Sequence, residues 1–108
     1  MRREPGSNRL HQIAQGVADL DYLYGEIWSR DEHLSRRDRR LIAISCCAAV
    51  GIDTETTAQL ESALRSGDLA FEELQEAVVH IAVYLGWIVA RRVDQLLVEA
   101  ATTTGTGG

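Results

Sequence analysis

The sequence predicts an all-α fold, a compact domain of about five helices, and three observations carry that reading. Apolar residues recur at spacings of three and four rather than two. Pro5 is the one proline in 108 residues, so the backbone loses a donor at a single place. Glycines and capping residues punctuate the chain at intervals that suit helix ends.

Ser7 or Asn8 can cap a first helix that runs to about Trp28 and carries Leu10, Ile13, Val17, Leu20, Tyr24 and Ile27 on one face. Arg30 to Leu34 reads as the loop that follows. Ser35, with Asp38 three residues on, resembles a capping box with a shorter acid and opens a second helix, which Gly51 ends. Asp53 or Thr54 caps the third, and Gly67 terminates it. The fourth starts near Phe71, with Glu72 and Glu73 at the positive end of its dipole. Gly86 weakens or bends it, and helix resumes from Trp87 to about Ala100. Residues 1–7 are expected to be a flexible N-terminus, 8–101 the helical domain, and 102–108, which contain TTTGTGG, a disordered tail.

Eleven basic and sixteen acidic residues leave a formal charge of -5, which argues against holding nucleic acid or an anionic membrane by counterion release. Small molecules and protein partners remain. All the basic residues are arginine, so no lysine offers Schiff-base chemistry. The N-terminus shows no apolar core of a secretory signal, and the longest apolar run, interrupted by His80, is shorter than the roughly 20 residues of a bilayer span. A cytoplasmic protein with no membrane partner is the expectation.

Two segments, LIAISCCAAV (41–50) and AVVHIAVYLGWIVA (77–90), are apolar all round instead of along one stripe. A domain this small cannot surround both with its own helices, so a homo-oligomer is expected to cover part of them.

The second segment sets an imidazole into a helix expected to be buried. Glu76, His80 and Tyr84 are four apart and stack along one helix face, with Glu73 near the same line. A carboxylate beside an imidazole raises its pKa and burial lowers it, so the pair could be poised near operating pH. In a catalytic reading His80 exchanges a proton, Glu76 orients it and Tyr84 binds a substrate oxygen. Arg40, or Arg36 and Arg37, could hold a substrate carboxylate in bidentate fashion. Gln59 and Trp87 are further candidates for contact with substrate. The competing account gives His80 a packing role alone. Cys46 and Cys47 are adjacent, their side chains about 100° apart around a helix, so they cannot pair within it and read as small core residues. His11, His33 and His80 lack ligand spacing, so no metal is expected.

The run GEIWSRDEHLSRRDRRLIAISCCAAVGID, followed by QLESALRSGDLAFEELQEAVVHIAVYLGW, resembles the carboxymuconolactone decarboxylase family, which includes the AhpD-like alkyl hydroperoxidases. The resemblance covers about residues 25 to 100. It rests on LSRRDRRLIAI, on Ala63, Leu64 and Gly67 as AL-x-x-G, and on EEL-x-E-x-x-x-H-x-x-x-Y-x-G from Glu72 to Gly86. It implies an AhpD-like all-α fold assembling as trimers or hexamers. In AhpD-like members a Glu, a Cys-x-x-Cys pair and a His form a thiol relay. Those positions fall here on Arg40, Ile52, Glu55 and Gln59, which disfavours peroxidase activity. The decarboxylase-like branch works without a cofactor and converts a carboxylated lactone to an enol-lactone. This sequence is closer to that branch, although Gln59 replaces its usual His and Ile88 its usual Pro. The expected function is cofactor-independent decarboxylation or proton-transfer isomerisation of a small carboxylated lactone or enolisable molecule. The alternative is a non-catalytic oligomeric descendant that binds a ligand or partner.

Overall fold

A computed structural model describes residues 22–106 of the chain. Among the described residues there are five helical segments and no strand. The chain divides into two compact units, Met1–Arg36 and Arg37–Gly108.

In the first unit Tyr22–Ile27 is a short π-helical turn. Its end is set by two local bonds, Arg30 N–H to the Ile27 carbonyl at 3.2 Å and Ser29 Oγ to the Glu26 carbonyl at 2.9 Å. These occupy carbonyls that a continuing helix would need. Turns and bends then lead to Ser35. The rest of the expected first helix, with Leu10, Ile13, Val17 and Leu20, lies outside the described residues, as do residues 1–7.

Four helices follow: α1 Arg36–Val50, α2 Asp53–Ser66, α3 Phe71–Leu85 and α4 Trp87–Thr104. The glycine punctuation explains their limits. After α1, Gly51 takes φ 77°, its N–H meets the Ala48 carbonyl at 3.1 Å, and Ile52 N–H meets the Cys47 carbonyl at 3.1 Å. This left-handed closure satisfies the last carbonyls of the helix. The N-cap of α2 is Ile52, not Asp53 or Thr54. Asp53 is instead the first helical residue, and its carboxylate is engaged by Arg92 of α4, whose Nε donates to Oδ1 at 2.8 Å.

At the start of α3, Glu73 Oε1 accepts the Ala70 N–H at 2.9 Å. Ala70 has no side-chain oxygen to return a bond, so this is half of a capping box. Gly86 sits between α3 and α4 at φ 95°, ψ 166°, a backbone region essentially closed to residues with a Cβ, and there the two helices part. The helix after Trp87 runs past Ala100 to Thr104, where Gly105 at φ 71° caps it. Ala100 and Ala101 are buried, and Thr102 and Thr104 return their hydroxyls to the Val98 and Ala100 carbonyls, so the last turn is held at its inner face. Residues 107–108 lie outside the described residues.

The fourth helix packs against both α2 and α3. Its Leu97, Ala100 and Ala101 meet Leu60, Ala63 and Leu64 of α2, Leu74 of α3, Leu69 of the loop and Ile44 of α1 in one buried cluster. Fully burying one such Leu or Ile contributes about 2 kcal/mol. Ala48, Ile81, Ala90 and Val93 make a second, smaller cluster nearer the Gly86 break.

The core uses only one face of each apolar segment. In α1, Ile44 and Ala48 are buried while Ile42, Cys46 and Val50 are exposed. On α3 and α4, Val83 is 74% exposed, Tyr84 75%, Trp87 70% and Ile88 77%. No helix among the described residues is long and apolar enough to cross a membrane.

Candidate functional site: a histidine cleft between α1 and α3

Leu74, Val78 and Ile81 recur on α3 at spacings of four and three and form the stripe that meets the core. His80 stands about 100° from Ile81 on the helix surface. The expectation that His80 is buried is therefore corrected: the ring is exposed in the chain. Its surroundings are a cleft of about 490 Å³ between α1 and α3. From α1, Arg37, Leu41 and Ser45 form one wall, each a turn after the last. From α3, Glu73, Glu76, His80 and Val83 form the other, and the buried side chains of Leu69 and Ile81 lie at the base.

The polar groups of the two walls differ in what occupies them. Arg37 Nη1 is paired with Glu73 Oε2, both side chains being nearly half exposed. The Ala70 N–H and the Arg37 guanidinium together hold the Glu73 carboxyl below the usual carboxylate range, the backbone bond being the larger cause. Ser45 Oγ donates to the Leu41 carbonyl at 2.8 Å, which leaves its lone pairs to accept. Glu76 and His80 share the α3 wall. Tyr84, one turn beyond, touches His80 with ring centroids 4.9 Å apart and planes tilted by 44°, and lies outside the cleft lining.

The expected substrate-binding residues are distributed otherwise. Arg40 and Gln59 do meet, Nη1 to Oε1 at 3.1 Å, and Arg40 Nε reaches Asp68 Oδ2 at 3.2 Å. The Arg40 side chain is only 11% exposed, so this set ties α1 to α2 and to the loop before α3, away from the cleft lining. The two positions that the resemblance sets against the Glu and His of the thiol relay are thus in contact, and an always-charged donor and an amide occupy them. Arg36 is the exposed first residue of α1 and belongs to the first unit. Trp87 borders a different cleft, of about 390 Å³, with Val78, Ala82, Ala90, Arg91 and Asp94.

Both cysteines are free thiols. Cys46 is exposed, which corrects its reading as a core residue, and Cys47 is half-buried. Burial first, then the Glu55 carboxylate and Cys46, push the Cys47 thiol up, away from the thiolate form that reacts. No group of three or more potential metal ligands occurs among the described residues.

Two polar features of the cleft are not anticipated by the sequence. Ser45 is one, although its spacing from Arg37 and Leu41 places all three on one helix face. Glu73 as the partner of Arg37 is the other, and a separation of 36 residues leaves no local signal for it.

Neither the curated proteins nor the solved structures yield a match to this chain. Residues 18–99 match the Carboxymuconolactone decarboxylase family over most of the sequence, including every residue of the α1/α3 cleft. The chain is a member of the carboxymuconolactone decarboxylase family.

Proposed function

We propose that the chain catalyses cofactor-independent proton transfer on a small enolisable molecule, a lactone or related carbonyl compound, bound in the α1/α3 cleft. The observation that carries this reading is an exposed imidazole on the wall of a ligand-sized cleft, with a carboxylate one turn before it on the same helix face. The ring takes a proton from the carbon next to the carbonyl, the electron pair moves onto the carbonyl oxygen, and the enolate is reprotonated at the same or the conjugated carbon. Decarboxylation passes through the same enolate, carbon dioxide leaving in place of the first proton. Glu76, one turn before the ring on the same wall, is the carboxylate placed to orient it. The Arg37 guanidinium on the α1 wall supplies positive charge for the oxygen that gains negative charge.

The half-buried Cys47 with its raised thiol, and the Arg40–Gln59 pair at the relay positions, speak against a thiol peroxidase. Assembly as a homo-oligomer belongs to the same proposal, supported by the exposed Val83, Trp87 and Ile88 beside the cleft helix.

The test is solvent exchange. In heavy water the protein is expected to speed deuterium uptake at the α-carbon of a butenolide, followed by proton NMR. His80→Gln is expected to lower that rate by about a hundredfold or more while leaving the melting temperature in place, since the ring is exposed. Exchange by the variant at the parent rate would reject His80 as the proton carrier.

A further inference from the structure

We infer that the cleft selects an uncharged ligand and turns away carboxylates, with Glu73 as the residue that sets this preference. The inference rests on the placing of the ligand in the α1/α3 cleft and narrows its chemical class. Among the described residues, the ionisable side chains that line the cleft are Arg37, Glu73, Glu76 and His80. One guanidinium therefore faces two carboxylates, and Arg37 is already paired with one of them.

The two other arginines suited by type to receive an acid are placed elsewhere. Arg40 is held by Asp68 and Gln59, and neither it nor Arg36 is among the residues that line the cleft. A carboxylate ligand would have to displace Glu73 from Arg37. The ion pair alone is a weak barrier, because exposed pairs contribute little. What makes displacement costly is that Glu73 is also fixed at the N-terminus of α3 by the Ala70 N–H. It would stay beside the incoming anion, with Glu76 one turn further along the wall. The like charges would remain in the cleft after the exchange. The lowered proton affinity of Glu73 keeps that charge present through the neutral range. A neutral lactone or ketone meets none of this repulsion and can still use His80 and the apolar side chains of Leu41, Leu69 and Ile81. The reaction such a ligand can undergo is isomerisation through its enolate, since it carries no carboxylate to lose.

The experiment compares γ-butyrolactone with the same ring bearing a carboxylate, titrated into the full chain and followed by the His80 imidazole shifts in NMR. The parent protein is expected to bind the neutral ring about tenfold more tightly than the acid. Glu73→Gln keeps an oxygen for the Ala70 N–H and releases Arg37, so it is expected to tighten the acid by about tenfold and to move the neutral ring less than about twofold. Adding Arg37→Gln should remove the gain. A parent protein that prefers the acid, a Glu73→Gln variant with unchanged selectivity, or no shift of His80 with either ring overturns the inference. These readouts are of binding and do not depend on turnover. Failure of the exchange assay would remove the reaction and leave the selectivity standing, and the reverse outcome would do the opposite.

Discussion

Arg37 and Arg40 lie one turn apart on α1 and meet opposite conditions. Arg37 is nearly half exposed and pairs with Glu73 in solvent, whereas Arg40 is 11% exposed and donates to both Asp68 and Gln59. Charge and type are the same, so only the surroundings separate them. Arg40→Ala leaves the partly buried Asp68 and Gln59 without these donors and is expected to cost about 2 kcal/mol in urea unfolding. Arg37→Ala removes an exposed pair, and its cost is expected to fall within the error of the same measurement. Equal losses from the two variants would show that the Arg40 set does not tie the helices as its geometry indicates. The run SRRDRR advertises basic residues but does not say which is spoken for. Partners 19 and 28 residues away decide that for Arg40.

At the scale of elements, α3 and α4 owe their separation to Gly86. Nothing lies within 4 Å of where a Cβ would stand, so a side chain there meets open space. The obstacle is the backbone, at φ 95°. Gly86→Ala is accordingly expected to cost about 1 to 3 kcal/mol from backbone strain alone, visible as a lower melting temperature. An unchanged melting temperature would mean that the two helices can merge or bend at this point without loss. The helix stop at Gly51, the stop at Gly67 and the break at Gly86 are all legible in the sequence, because each depends on the conformation one residue can adopt. The cap of α2 falls a residue before the expected one, and the Asp53 carboxylate pairs with Arg92, which no local rule anticipates. The burial expected of His80 fails for a related reason. An apolar run implies that a helix seeks cover, and it does not imply which side is covered first.

For the whole molecule, the second unit closes its core around Leu97 and leaves an apolar surface where α3 passes into α4. Val83, Tyr84, Trp87 and Ile88 are each at least 70% exposed. Large exposed apolar side chains close together in the sequence suit an interface, and the proposed homo-oligomer is the assembly that would cover them. Val83→Glu is expected to shift sedimentation toward a smaller species while the helical circular dichroism stays as in the parent, because position 83 takes no part in either buried cluster. A parent chain that already sediments as a monomer at micromolar concentration would end the proposal.

The helical class, the run of four helices from Arg36 onward and the family are all legible in the order of the residues, since capping, glycine conformation and the spacing of apolar positions act over a few residues. The cleft is half visible there: Glu76 and His80 share a helix face by spacing alone. That the ring stands open, that Arg37 lines its cleft and that Arg40 does not, are consequences of how α1 is placed relative to α3. Contacts between residues tens of positions apart are set by how helices pack, and packing is a property of the whole core.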